Sequence, residues 1–279
     1  MLEQARLEVV HEPLAERLPG AQYFEANYRV RAGDIDQEMR LRLDGVARYL
    51  QDVANDNLEA TDFVNTDPFW VVRRTVIDVL EPISWPATVI LQRWCSALST
   101  RWASMRVRLT ATHETNRLNP AQRPDGLVET EAFWINVNEN GMPTRISDGG
   151  FAWLSSMNDN HRLRMPTSPR AVPDRDPGMP ADRIHILRTA DFDPFKHLNN
   201  AAYWVVVEDE LVEHPDILGA PHRAVIDYLR PIAPGAEVIV RRRRDGEQLL
   251  IWMIVDDRIV TTMTVDKLSP EYRRSTRSE

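Results

Sequence analysis

One sixteen-residue pattern of hydrophobic and polar positions occurs twice in this chain. VIDVLEPISWPATVIL spans residues 76–91, and VIDYLRPIAPGAEVIV spans residues 225–240. Nine of the sixteen positions are identical at a constant offset of 149 residues, without a gap. A match of this length predicts a tandem duplication of one fold, in which one copy can keep the chemistry while the other diverges to bind.

The first copy predicts a strand, one helix and four further strands. Residues 28–34 are strand-like, and apolar residues between Val46 and Ala54 recur at helical spacing after Asp44, the expected N-cap. Asn140 and Gly141 form a turn signal after the last strand. The four strands are expected at 70–80, 88–98, 103–113 and 128–138.

The second copy repeats this order. A strand is expected at 183–189, and Asn199 or Asn200 is expected to cap a helix near 201–213. The propensity of Trp204 and the three valines after it favours a strand, whereas the matching helix of the first copy favours a helix here. Further strands are expected near 223–229, 236–244, 248–256 and 258–266. A long antiparallel sheet wrapped on one helix, twice over, is an α+β architecture.

Chain length and proline spacing divide these elements into domains. A chain of 279 residues suggests about two domains of ordinary size. Residues 155–183 contain five prolines, which disfavour regular structure. We therefore expect an N-terminal domain at 1–154, a linker at 155–183 and a C-terminal domain at 184–279.

Composition narrows the functional classes. The net charge of −8 argues against a nucleic-acid partner, and the single cysteine, Cys95, argues against an intrachain disulfide and a Cys-based metal site. The histidines have no metal-ligand spacing, so no metal is expected. The N-terminus lacks the regions of a signal peptide, and the longest apolar run is far shorter than the ~20 residues of a membrane span. We therefore expect a cytoplasmic protein without a membrane partner.

Residues 191–204, DFDPFKHLNNAAYW, carry the candidate chemistry. This segment resembles the D-x-D-x-x-x-H-V-N-N-x-x-Y motif of the acyl-ACP thioesterases, a family with the hot-dog fold. In the first copy, residues 70–72, Trp94 and the TEAFWINVN strand followed by Thr144 and Arg145 stand in the order of the same family. The resemblance implies two tandem hot-dog domains that hydrolyse a fatty acyl-ACP or acyl-CoA thioester to free fatty acid and carrier thiol, without a cofactor.

The motif residues suit thioester hydrolysis. Asp193 can act as a general base toward water or as the nucleophile, and His197 can relay a proton or orient the water. Both precede a predicted helix, whose free N–H groups and dipole would polarise a carbonyl oxygen held there. Asn199 is the third candidate catalytic residue, since it can position the thioester as well as cap the helix. The candidate substrate-binding residues are Asn200, Tyr203 and Trp204.

Two positions depart from the family motif. The Asn expected two residues after Asp193 is Phe195, and the family's later acidic and Cys positions fall near residues 231–233, where neither residue type occurs. A cysteine mechanism is therefore excluded. Glu208 and Asp209 on the predicted helix are the candidate acidic helpers.

The first copy keeps only part of the motif. Asp36 occupies the place of Asp193, but no histidine follows in residues 37–43. We therefore expect the first copy to be non-catalytic and to form the acyl-binding cavity.

Two other functions fit the same residues. One is a hot-dog hydratase or dehydratase acting on acyl thioesters, and the other is an acyl-thioester-binding module that has lost activity, which the Phe195 departure motivates. The expected partner is an acyl carrier protein or a CoA thioester, and a homodimer is compatible with either. Residues 241–244 are all arginine, and strand alternation puts two of them on each face of the sheet. Because acyl carrier proteins are acidic, two of these arginines could form a docking patch together with Arg106 or Arg108.

Overall fold

The computed structural model describes residues 11–161, 163, 174–175, 179–269 and 271–272. Within these residues the chain forms helices and one large antiparallel sheet, which confirms the α+β class. Residues 162, 164–173 and 176–178 of the predicted linker lie outside the described residues.

The first half of the chain contains one long helix and five strands. Its long helix α1 is followed by two short helices, and a 3-10 turn precedes it at Ala32–Asp34. The elements are β1 (Phe24–Arg29), α1 (Leu43–Glu59), α2 (Phe63–Thr66), β2 (Trp70–Glu81), β3 (Ala87–Leu98), β4 (Trp102–His113), β5 (Gly126–Asn136) and α3 (Asp148–Ser155).

The second half repeats that order, with a 3-10 turn at Thr189–Asp191. Its elements are β6 (Arg183–His185), α4 (Asn200–Val212), α5 (Pro215–Leu218), β7 (His222–Tyr228), β8 (Val238–Asp245), β9 (Gln248–Val255) and β10 (Arg258–Lys267). The strands and long helices predicted from the repeat are therefore present in both halves.

The segment that enters α1 differs from the prediction. Residues 30–34 leave the strand because a 3-10 turn forms there, closed by the Asp34 N–H, which donates to the Arg31 carbonyl at 3.0 Å. Arg42, not Asp44, is the N-cap residue of α1. Asp44 lies in the first turn of the helix instead, where its carboxylate accepts hydrogen bonds from the guanidinium groups of Arg42 and Arg48. The predicted strand at 183–189 likewise ends at His185, before the second 3-10 turn.

The two halves share one ten-stranded sheet, in the order β1-β3-β4-β5-β2-β7-β10-β9-β8-β6. The seam between the halves is the antiparallel pair β2–β7, which contains the start of the sequence repeat. Val76 and Val225 are equivalent positions of the repeat, and they lie directly opposite each other in this pair. The repeat therefore occupies equivalent strands, as predicted, and a pseudo-two-fold axis passes between these two valines.

The outer side of the seam carries two ion pairs related by this axis. Arg223 and Asp78 join through two hydrogen bonds of 2.7 and 2.8 Å, and Arg74 lies 3.4 Å from Asp227. Leu14, from the segment before β1, packs on both Val76 and Val225 between the pairs. The N-terminal segment therefore covers the outer face of the junction.

The inner face of the sheet holds both long helices. Buried residues of α1, α4 and the strands of both halves form one apolar cluster, in which α1 and α4 pack against each other. Trp204 is completely buried in α4, and Val206 and Val207 are buried beside it. The turns of α4 from Ala201 to Val207 are largely enclosed and are apolar around the helix, so packing overrides the strand propensity of this segment.

Removing the Asp78 carboxylate should destabilise the junction. The Asp78→Ala variant would leave Arg223, with a side chain only 11% exposed, without its carboxylate partner. Loss of one partner from a buried pair typically costs about 3–5 kcal/mol, so urea unfolding should show a loss of this size. The control Asp148→Ala removes a 95% exposed carboxylate and should change the stability little. Equal effects of the two substitutions would contradict a structural role for this pair.

Candidate active site

The two long helices begin after loops of the same conformation. Asp193 N–H donates to the His197 carbonyl at 2.9 Å, and Asp36 N–H donates to the Arg40 carbonyl at 2.9 Å. The residue before each of these carbonyls has a positive φ, 61° at Lys196 and 64° at Met39. These loops and helices correspond at an offset of 157 residues, because the segment between helix and repeat is eight residues longer in the first half.

Asp193 organises the second loop. Its Oδ1 accepts the backbone N–H groups of Phe195 and His197, both at 2.9 Å. Phe195 therefore contributes its backbone to the loop, and the residue is 72% exposed at the mouth of a cavity. Among the described residues the Oδ2 atom of Asp193 and the ring nitrogens of His197 form no hydrogen bond, so these groups are available to a ligand.

Asn199 is the N-cap of α4. Its Oδ1 accepts the Ala201 N–H at 2.9 Å and also a hydrogen bond of 3.2 Å from Gln51 Nε2 of α1. The side chain that sequence reasoning missed is therefore Gln51, which reaches the second loop from the other half. The signal was present in the sequence, since Gln51 and Glu208 correspond at the helix offset of 157 residues.

The first loop is closed by ion pairs. Arg40 occupies the place of His197, and its guanidinium bonds to Asp36 at 2.8 Å and to Glu208 Oε2 at 2.6 Å. Glu208 Oε1 also accepts the Leu43 N–H at the start of α1. Because Arg40 and Glu208 are both buried, the N-terminus of α1 is sealed by a carboxylate from the opposite helix.

The start of α4 opens instead into a cavity of about 880 Å³. Asp193, His197, Asn199, Asn200 and Tyr203 line it from the second half. Most of its apolar lining comes from the first half and includes Leu58, Phe63, Trp70, Met105, Trp134 and Leu154. The structure thus brings the predicted loop residues together with an apolar pocket of the other half.

Three predicted residues lie away from this cavity. Trp204 belongs to the core, and neither Glu208 nor Asp209 lines the cavity. Glu208 instead neutralises Arg40 of the closed loop. The acidic residue of α1 that borders the cavity is Asp52, whose pKa is raised by burial and by the nearby Asp56. Burial also raises the pKa of Tyr203, to about 12, so its hydroxyl stays protonated at neutral pH.

Five of the six arginines proposed for docking, all except Arg243, are already paired with carboxylates of the protein. Arg106 is completely buried against Glu129, and Arg241 is paired with Asp182 at 2.8 Å. Arg242 pairs with Glu210, and Arg244 with Asp216. The sequence shows the charges of these strands but not the carboxylates that the fold brings to them.

The described part of the chain has neither a membrane-spanning helix nor a three-residue cluster for a metal ion. None of its helices combines the length and apolar character needed to cross a bilayer. None of its groups of His, Cys, Asp and Glu side chains has three members placed to hold one metal ion.

Comparison with known protein families gives a match in both halves. The acyl-ACP thioesterase N-terminal domain matches residues 21–152, and the acyl-ACP thioesterase C-terminal domain matches residues 181–273. An uncharacterized protein of Mycobacterium tuberculosis is 38% identical over 248 residues, which cover 88% of this chain and 92% of that protein.

Three solved structures have a similar fold. A putative oleoyl thioesterase of Lactobacillus plantarum has a TM-score of 0.66 at 18% identity and covers 90% of this chain and 98% of its own. The 12:0-ACP thioesterase of Umbellularia californica has a TM-score of 0.64 at 15% identity, covering 88% and 96%. An acyl-ACP thioesterase of Bacteroides thetaiotaomicron has a TM-score of 0.65 at 12% identity, covering 88% and 97%. At these identities the likeness concerns the fold, which is the predicted pair of tandem hot dogs.

The closed loop should depend on the charge of Glu208. The Glu208→Gln variant would leave Arg40 buried with only Asp36 as a counter-charge, and we expect a loss of unfolding free energy of about 1.5–3 kcal/mol in urea. The control Asp209→Asn changes the next residue of the same helix, a carboxylate that forms no ion pair among the described residues. Its effect should stay below about 1 kcal/mol. A Glu208→Gln protein as stable as the control would show that the ion pair does not hold this loop.

Proposed function

Because this chain belongs to the acyl-ACP thioesterase family, a family of thioester hydrolases, we propose that it releases free fatty acid from acyl carrier protein or coenzyme A at the N-terminus of α4. One observation carries the proposal. The cavity joins the Asp193 loop of the second half to an apolar pocket of the first half, so one acyl thioester can occupy both.

The first half, whose loop is closed by the Arg40–Glu208 pair, shows how an oxygen atom can be bound at the N-terminus of the long helix. There, a carboxylate oxygen of Glu208 accepts the Leu43 N–H at the helix N-terminus. The equivalent N–H in the second half belongs to Asn200, which borders the cavity. In our proposal the thioester carbonyl oxygen takes the place of that carboxylate oxygen. Developing negative charge on it is stabilised by the N–H donor and by the positive end of the α4 dipole.

Asp193 and His197 perform the hydrolysis in this proposal. The two N–H groups bound to Oδ1 fix the carboxylate and leave Oδ2 free to react. As a general base, Oδ2 takes a proton from a water molecule whose oxygen bonds to the carbonyl carbon, and the C–S bond then breaks. As a nucleophile, Oδ2 forms an acyl anhydride and expels the thiolate, and water then hydrolyses the anhydride to fatty acid and free Asp193. His197 stands beside it at the mouth of the cavity and transfers the proton to the leaving thiolate. Asn199 holds the loop to Gln51, and thereby fixes the two halves relative to the reacting atoms.

The first half binds the acyl chain and does no chemistry. Its pocket walls are apolar and aromatic, which suits an alkyl chain, and its own loop is occupied by the Arg40–Glu208 pair. This division retains the proposed domains, with acyl binding in residues 1–154 and catalysis in residues 184–279.

One assay distinguishes this function from its alternatives. Thiol release should be measured with a panel of acyl-ACP and acyl-CoA thioesters, alongside enoyl absorbance. Thiol release without an absorbance change supports hydrolysis, whereas an absorbance change without thiol release would identify a hydratase or dehydratase. Tight thioester binding without either signal would identify a binding module.

The loop residues should act as a unit. We expect Asp193→Asn to lower kcat by roughly 10²–10⁴-fold while substrate still binds, because the substitution removes the carboxylate and keeps its shape. His197→Ala should also slow turnover, and the double variant should be barely slower than Asp193→Asn alone.

The matched control is Asp36→Asn in the closed loop, which should leave kcat largely unchanged in protein that remains folded. Near wild-type thiol release by Asp193→Asn, or equal losses in the two Asp variants at unchanged thermal stability, would place the reaction elsewhere.

The Gln51→Glu variant should close the second loop as Glu208 closes the first. The new carboxylate would reach the Asn200 N–H and compete with the thioester carbonyl oxygen. A hydrogen bond to a charged group contributes about 1.5–3 kcal/mol, so kcat/KM should fall by roughly ten- to a hundredfold without loss of thermal stability. Gln122→Glu adds the same charge at an exposed site and serves as the control. Unchanged kcat/KM in Gln51→Glu would contradict the binding of the thioester carbonyl oxygen at the N-terminus of α4.

A further inference from the structure

The apolar part of the cavity contains an arginine without a carboxylate partner. Arg93 of β3 lines the cavity, and its Nη1 donates to the Asn57 side-chain oxygen at 2.5 Å. No carboxylate of the described residues forms an ion pair with it. Burial lowers the pKa of Arg93 to about 10, which still leaves the guanidinium charged at neutral pH. A guanidinium has five N–H donors, so most of its hydrogen-bonding capacity is open to a ligand.

The equivalent arginine of the second half is neutralised. Arg242 corresponds to Arg93 at the repeat offset of 149 residues, and its Nε lies 2.9 Å from Glu210 Oε2. At the helix offset of 157 residues, the counterpart of Glu210 on α1 is Val53. Arg93 therefore lacks the carboxylate partner that its counterpart has, and it lies in the first half, whose residues form most of the cavity wall.

Asn57 adds a second donor to the same place. It is only 3% exposed and lines the cavity, and its side-chain Nδ2 has no hydrogen-bond partner. Its oxygen is already used by Arg93. Arg93 and Asn57 together, named here the donor pair, present a positive charge without a carboxylate partner and a side-chain amide nitrogen without an acceptor.

A plain alkyl chain does not suit this wall of the cavity. An apolar chain end packed on the donor pair would exclude water from a cation and an amide without replacing their hydrogen bonds, which is costly. A carboxylate would supply both the charge and the acceptor oxygens. The donor pair also lies on the acyl side of the reaction site. Asn57 follows Gln51 by six residues along α1, or about 9 Å of helix.

We propose that Arg93 and Asn57 bind a carboxylate at the far end of the acyl chain, so that the preferred substrates are thioesters of dicarboxylic acids. The inference rests on the proposed hydrolysis at α4 for its orientation, with the thioester at Asp193 and the distal carboxylate at Arg93. It assigns to this chain a specificity that an apolar pocket alone would not provide.

The test compares matched CoA thioesters with and without the distal carboxylate. Adipoyl, suberoyl and sebacoyl thioesters are set against hexanoyl, octanoyl and decanoyl thioesters, with an ω-hydroxyoctanoyl thioester as the neutral polar probe. The wild type should favour at least one ω-carboxylate over its plain counterpart by roughly ten- to a hundredfold in kcat/KM. Arg93→Met should reverse that preference with unchanged or higher thermal stability, since a half-buried cation without a carboxylate partner is removed.

Two further variants test whether the preference depends on the free charge of Arg93. Asn57→Asp supplies an internal carboxylate to Arg93 at almost the same volume, and it should also abolish the preference for the ω-carboxylate. Arg29→Met removes a charge from an exposed ion pair with Glu114 and should leave the preference unchanged.

The outcomes distinguish a failure of the dicarboxylate assignment from a failure of the proposed hydrolysis. Faster hydrolysis of plain thioesters, or a preference unaltered in Arg93→Met and Asn57→Asp, would overturn the dicarboxylate assignment and leave the hydrolase intact. A preference for the ω-hydroxyl probe alone would also overturn it. If no thioester is hydrolysed, the proposed function fails, and binding of suberate against octanoate, followed by tryptophan fluorescence, tests the donor pair. Equal affinities of the wild type for the two acids would then overturn it.

Discussion

The pairing of β2 with β7 is the constraint on which the rest of the structure depends. It sets the two halves about a pseudo-two-fold axis through Val76 and Val225, and it brings α1 and α4 side by side on one face of the sheet. Each helix then reaches the loop that precedes the other helix. Gln51 of α1 contacts Asn199 before α4, and Glu208 of α4 contacts Leu43 at the start of α1. Neither site can form within one half alone.

A few substitutions break the equivalence that this axis imposes. At the first loop, Arg40 and Glu208 fill the space at the helix N-terminus with a buried ion pair. At the second loop, His197 and Gln51 occupy the same two positions and leave an opening. The asymmetry continues into the interior, where Arg242 has a carboxylate partner and Arg93 has none among the described residues. The open loop and the unpaired charge both border the same cavity, which makes that cavity the functional centre in our account.

Much of this architecture follows from the sequence because the repeat is ungapped and its strands alternate regularly. The cap residue Asn199 and the candidate catalytic residues Asp193 and His197 were predicted from one local motif. Gln51 was missed because the helices follow an offset of 157 residues rather than 149, so the strand repeat does not align them. The contact of Glu208 with Arg40 and Leu43 could not be predicted, since local sequence cannot show that the side chain of a helix residue crosses to the other half.

The central claim is that each chain has one reaction site, at the N-terminus of α4. A crystal structure with an acyl-CoA ketone, in which a methylene group replaces the thioester sulfur, tests it most directly because the carbonyl is retained and hydrolysis is blocked. Our account predicts one molecule per chain, with the carbonyl oxygen at the Asn200 N–H, the carbonyl carbon facing Asp193 and the chain inside the first half. A second molecule at the N-terminus of α1, or a carbonyl oxygen bound away from α4, would contradict it.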